Sequence, residues 1–420
     1  YQSTWLRVHY GAEFLCALLN EQPMGFYAPD SLVHEAQNRS PPARIAVLGI
    51  DVNASQAQCT VQDGGVRLGL GYVKDVVADE VRELVAERER NGPFSSLGDL
   101  AARAGARRMT LEQLAWAGAC DSLIGARDGE RPIGVEDTQM GAPRGAHPEG
   151  RRQAGRRTAL WQAGLASRAE RTPAGEGTQL ALPLELPPAP SLRRLGRWQR
   201  LIADYSTSGV TVGDHALAIL RERLAVPSGA DPVVLATSAQ LARLPTGSEV
   251  AVAGLVIARQ RPGTAKGTMF LLFEDELGTV NLIVPKAVYE RHRQLARAEP
   301  LLLARGRLER SREGTATVAA WAARATREQQ GGQGETGEEE IRPVINVIVR
   351  ELEPLERFLS GGVEGPEAAT AAARVHRLPG LERAAPRAGG EAEEPEGAEV
   401  GSSMRAVAPP VQSFAAGRRR

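Results

Sequence analysis

At 420 residues the chain has room for two to four domains of roughly 100–200 residues each, so its length points away from a single core. Lysine plus arginine and aspartate plus glutamate number 51 each, so no overall charge draws the molecule towards nucleic acid or a membrane, and only local asymmetry is informative. Cys16, Cys59 and Cys120 are odd in number and far apart, which indicates neither a disulfide framework nor a zinc site and suits a reducing cytoplasm.

In chain order, residues 1–20 place Trp5, Leu6, Val8, Phe14, Leu15, Leu18 and Leu19 at helical spacings around Gly11, predicting two short helices. Residues 31–39 read as another helix, stopped by Pro41-Pro42. Three strand-like runs follow, Ile45 to Leu48, Cys59 to Val61 and Val66 to Leu68, with a turn at Asp63-Gly64-Gly65. Val81, Leu84 and Val85 stripe a helix over 78–90 that Asn91-Gly92-Pro93 ends. Ser95 or Ser96 caps a helix over 97–104, and Thr110 with Gln113 reads as the capping box of the next. Residues 125–190 hold too few apolar side chains for a core and read as a linker, with a short helix around Leu160-Trp161. Trp198, Leu201, Ile202 and Tyr205 mark renewed order.

Five strand-like runs come next: Glu249 to Arg259, Thr268 to Phe273, Thr279 to Val284, Leu301 to Arg307 and Thr315 to Ala322. A helix over 286–298 follows the third, and that order predicts an OB-fold barrel. Such barrels hold single strands on the outer face of their second and third strands and on two loops. The first of those loops is cationic: Arg259, Arg261 and Lys266 in it, with Arg307 near the other, are the candidate phosphate contacts. Phe270 and Phe273 fall on opposite faces, so one of them is a candidate stacking platform. The turn Glu274-Asp275-Glu276 reads as a solvated hairpin tip, and no metal site is assigned. A tail over 361–400 is low-complexity.

Several stretches together carry a resemblance. YQSTWLRVHYGAEFLCALLN, IDVNAS, VRLGLGYVKDV, ERERNGPFSSLGDLAARAG and LEQLAWAGACDSL are similar to the region after the catalytic core of bacterial C-family DNA polymerases. RWQRLIADYSTSGVTVGDHALAILR, GTAKGTMFLLFEDELGTVNLIVP and the closing AVAPPVQSFAAGRRR resemble its error-prone, translesion branch. The resemblance implies an α+β multidomain chain. Residues 1–55 would be a helical fingers tail, 56–124 a tandem helix-hairpin-helix module, 125–190 a flexible linker and 191–230 a helical connector. Residues 231–327 would be the OB-fold, and 328–420 a tail with a short strand and helix at 341–360. It also implies damage-induced mutagenesis, with Lys74, Arg107 and Arg108 on the duplex backbone. Partners would be template single strand, primer-template duplex, a sliding clamp and accessory proteins, in the cytoplasm and away from membranes.

The family's nucleotidyl transfer uses palm aspartates with Mg2+. No Asp-x-Asp pair occurs in this sequence, so the chain by itself is expected to be a catalytically inert fragment with no cofactor of its own. In the first hairpin Asp75 and Val77 stand where the family usually carries glycine, which puts phosphate contact there in question. The competing expectation is a free-standing OB-fold that binds single-stranded nucleic acid or serves as a protein scaffold.

Overall fold

A computed structural model describes residues 2–23, 28–39, 43–124, 155–166, 189–190, 192–224, 234–311, 344–359, 397–408 and 412–415. In chain order the helices and strands are α1 (Gln2–His9), α2 (Gly11–Asn20), α3 (Pro29–Asn38), β1 (Val47–Leu48), β2 (Thr60–Gln62), β3 (Gly65–Arg67), α4 (Ala78–Asn91), α5 (Leu97–Ala104), α6 (Arg108–Trp116) and α7 (Asp121–Ile124). They continue with α8 (Arg156–Ala166), α9 (Arg197–Thr207), α10 (Ala216–Leu220), β4 (Val234–Leu235), α11 (Ser238–Leu241), β5 (Glu249–Arg261), β6 (Met269–Asp275) and β7 (Gly278–Val284). The last are α12 (Lys286–Arg291), α13 (Arg293–Ala298), β8 (Leu301–Ser311), β9 (Val344–Pro354), α14 (Gly397–Val407) and β10 (Gln412–Ala415). The described residues form two compact units. One holds residues up to Gln22 and from Arg39 to Val212; the other holds Pro23 to Asn38 and residues from Gly213 onward. The helix α3, expected with its sequence neighbours, therefore belongs to the second unit, and the expected connector is shared, α9 going to the first and α10 to the second.

In the first unit a helical core gathers Val52, Leu70, Val73, Leu84, Leu100, Leu114 and Cys120, all nearly without exposure. The helix α8 packs on α5 and α6 and adds Ala159 and Ala163 to that core, so residues 156–166 of the expected linker are structural. Two helical hairpins share the core. The first runs from the 3-10 turn Leu70–Tyr72 through Asp75 into α4, and the second joins α5 to α6 through Gly105. Ser96 caps α5 by accepting from the Asp99 N–H, as its position predicts. Thr110 does not cap α6. The helix already starts at Arg108, and the buried Thr110 hydroxyl donates instead to Glu80 Oε2 at 2.5 Å. Arg88 is tied inward as well, donating to the carbonyls of Val52 and Ser55.

The second unit is built on a closed sheet in the order β5-β6-β7-β9-β8, with β8 returning to β5. All these pairs are antiparallel except β7 with β9, and the closure is that of the five-stranded OB-fold. The expected fifth strand, Thr315 to Ala322, lies outside the described residues. The strand that closes the barrel is β9, in the stretch expected as a tail; its pairing with both β7 and β8 puts it in the sheet. Inside lie Val250, Val252, Val256, Met269, Leu271, Phe273, Leu282, Leu302, Leu308 and Val347. Gly254 lets β5 cross Phe273 closely, since a Cβ there would stand 2.6 Å from the ring. Two short strands, β4 and β10, add in parallel to β5, and Arg405 of α14 bridges Glu299 and Glu356.

Candidate nucleic-acid interface

The helical hairpins position their cations differently. Arg107 is the N-cap of α6 and Arg108 its first residue, just beyond Gly105 at φ 58°, and the first N–H groups of the helix have no intrahelical partner. Their side chains are 76% and 58% exposed, while Glu80 and Glu112, which they pair with at 2.9 and 2.6 Å, are largely covered. Exposed ion pairs of this kind are weak, so the outer faces of both guanidiniums remain usable by an incoming phosphate. Lys74 is exposed, but its ammonium donates to the Tyr205 carbonyl at 2.8 Å and its N–H to that of Thr207. Burial lowers the pKa of this lysine, against Asp75, which raises it. Asp75 sits at φ 61°, a left-handed conformation that glycine adopts without cost, and it is exposed. The first hairpin thus presents a carboxylate where the second presents two arginines.

On the barrel the four candidate cations separate. Arg259 is 6% exposed and donates to the carbonyls of Ala296 and Glu299 at 3.0 and 2.6 Å. Burial pulls its pKa down to about 10, against the pull of Glu299. It is a brace between β5 and the end of α13, which corrects its assignment to the loop surface. Arg307 is exposed but pairs across from Glu249, at the far end of the 13-residue β5 from Arg261. Arg261 and Lys266 do come together at the loop. Arg261 lies 4.4 Å from the centre of the Tyr289 ring and donates to the Gly267 carbonyl, and Lys266 is exposed at φ 50°.

The structure adds Lys286, whose side-chain stem lies over Gly267. The signal was in the hairpin register: Met269 pairs with Val284, so the next positions outward bring 267 beside 286. Phe270, next to Gln260 and Ile283 on the outer face, is half-buried, whereas Phe273 is in the core. The outer wall is not open throughout. Leu272 and Glu274, also on that face, are buried, and the acidic turn is not solvated: Asp275 is 3% exposed and accepts from Ser238, Leu277 and Gly278, while Arg221 pairs with Glu276. The open part is therefore the end that carries Phe270, Ile283, Arg261, Lys266 and Lys286.

A helix-hairpin-helix motif family matches residues 44–129, the segment that holds both hairpins. An error-prone DNA polymerase of Nocardia farcinica is 37% identical over 322 residues, 76% of this chain and 25% of its own length. The like-named enzymes of Corynebacterium glutamicum and Anaeromyxobacter dehalogenans are 34% and 36% identical over 76% and 74% of the chain. Among solved structures, asparaginyl-tRNA synthetase from Pyrococcus horikoshii is 20% identical over 26% of this chain and 20% of its own, with a TM-score of 0.17 that carries no argument. No helix among the described residues is long and apolar enough to cross a membrane. The chain spans about a quarter of the curated relatives it matches, and over about three quarters of its own length it is similar to bacterial error-prone DNA polymerases.

Proposed function

We propose that this chain is the C-terminal, DNA-holding part of an error-prone DNA polymerase that works in translesion synthesis during damage-induced mutagenesis. The observation that carries the reading is the pairing, in one chain related to such enzymes, of a helix-hairpin-helix module with an OB-fold whose open edge is cationic and carries a half-exposed aromatic. In this reading Arg107 and Arg108 hold duplex phosphates without reading sequence. Arg261, Lys266 and Lys286 hold the template strand's phosphates, and Phe270 stacks on a base. Lys74 orders the first hairpin and Arg259 the barrel. Arg307 stays a candidate for a separate phosphate. Nucleotidyl transfer belongs to palm aspartates and Mg2+ of the intact polymerase, outside this sequence, so the chain alone is inert. Sliding clamp and damage-tolerance proteins would be partners of the whole enzyme in the cytoplasm.

The test is anisotropy of a labelled single strand against salt, with the full chain and an Arg261→Gln, Lys266→Gln, Lys286→Gln variant. Each lost phosphate contact removes about 0.7 from the slope of log K against log salt on single strands, so the triple variant should lose about 2. Equal slopes would remove the loop from the interface. On duplex, Arg107→Gln with Arg108→Gln should cost a similar amount, at about 0.9 per contact.

A further inference from the structure

In the second unit, α3 and the residues before α10 bring His34, His215 and Asp30 to Glu274 on the outer face of β6. All four are buried, at 4%, 7%, 1% and 4% exposure. One ligand-capable atom from each of His34, His215 and Glu274 lies within 4.8 Å of the others. Neither ring nitrogen of His34 has a hydrogen-bond partner, nor does Nε2 of His215. Nδ1 of His34 is 3.6 Å from Asp30 Oδ2 and 3.9 Å from Glu274 Oε2. Those separations are too long for hydrogen bonds. They are close to the roughly 3.4 Å that separates two donors on one tetrahedral ion with bonds of about 2.1 Å.

We propose that His34, His215 and Glu274 form a buried binding site for one divalent transition-metal ion of the zinc class, with Asp30 beside His34. Two imidazoles with a carboxylate suit zinc better than magnesium or calcium, which take all-oxygen shells. The ligands come from three separate segments, so the ion pins α3 and the start of α10 onto the barrel wall, over the part of the outer face where Leu272 and Glu274 are buried. Ser31, whose hydroxyl donates to Glu274 Oε2 at 3.4 Å, orients that carboxylate from outside the ligand set.

Binding rearranges protons in a defined way. Nδ1 of His215 accepts from the Leu217 N–H at 3.1 Å, so its neutral ring carries hydrogen on Nε2. Ligation through Nε2 moves that hydrogen to Nδ1 and gives up the cap of the five-residue α10, a small loss beside a metal bond. The competing occupant is a second proton on His34. Burial opposes it, but Asp30 and Glu274 outweigh burial and raise the pKa to about 9. An entering ion releases that proton to solvent.

The full chain, purified without chelator, should retain close to one zinc per molecule by mass spectrometry. After stripping, cobalt(II) should restore one equivalent with the visible absorption of a tetrahedral site. His215→Asn keeps a side chain able to cap Leu217, and it should bind cobalt at least about tenfold more weakly, as should His34→Gln. If either variant fails to fold, nitrogen-15 spectra of the native protein decide: zinc should shift both histidine rings and the Leu217 amide. Stripped protein whose His34 stays a doubly protonated imidazolium under excess zinc, or variants that bind cobalt like the native chain, would overturn the proposal.

Discussion

Replacing Arg259 with alanine separates bracing from DNA contact. The guanidinium makes two charge-assisted bonds to buried carbonyls, each worth about 1.5–3 kcal/mol, and the smaller side chain leaves both acceptors and a cavity behind. Part of this is returned, because burying the cation already costs enough to bring its pKa down to about 10. The net loss should be about 2–4 kcal/mol, or roughly 5–15 °C in the melting of a unit of this size. Calorimetry of the full chain should show the barrel transition moved down by that much. Arg261→Gln, at an exposed position, should leave melting unchanged and weaken single-strand binding. An Arg259→Ala protein that melts like the native chain but binds single strands poorly would show that the side chain faces the nucleic acid, and the bracing argument would be wrong.

Gly254→Ala puts a Cβ 2.6–2.8 Å from Phe273, inside contact distance with a core ring, and should cost about 1–3 kcal/mol by denaturant titration. Asp275→Asn keeps one acceptor oxygen for a carboxylate that serves two backbone N–H groups in its own hairpin and both the hydroxyl and N–H of Ser238; the expected loss is about 1–3 kcal/mol. Asp121 has a pKa that burial raises to about 7, with Arg156 opposing and Asp204 and Asp51 adding to it. The folded chain therefore holds this proton more tightly than the unfolded one, whose carboxyl titrates near about 4. Stability from this group should fall as pH rises from about 4 to about 7 and then level off; Asp121→Asn should flatten that slope in urea melts, and an unchanged slope would refute the assignment.

Periodicity and local chemistry were enough for the helical hairpins, the Ser96 cap and the hairpin of β6 and β7, because each is set by neighbours a few residues apart. The strand order that spells an OB-fold was legible for its first four strands. The fifth was misplaced because β9 comes only after a further 32 residues, and nothing local marks which apolar run will find β7 and β8. Alternation in sequence also says which side chains share a face of a strand, but not what covers that face. The chain's own residues fixed the presence of a cationic loop. Only the folded arrangement decided that Arg259 turns inward to carbonyls of residues 296 and 299, that Lys286 joins Arg261 and Lys266, and that an acidic turn is buried beside two histidines from residues 34 and 215. Whether a charge meets water or a buried partner depends on contacts between segments distant along the chain, and those contacts arise only when the barrel closes and the helices pack on it.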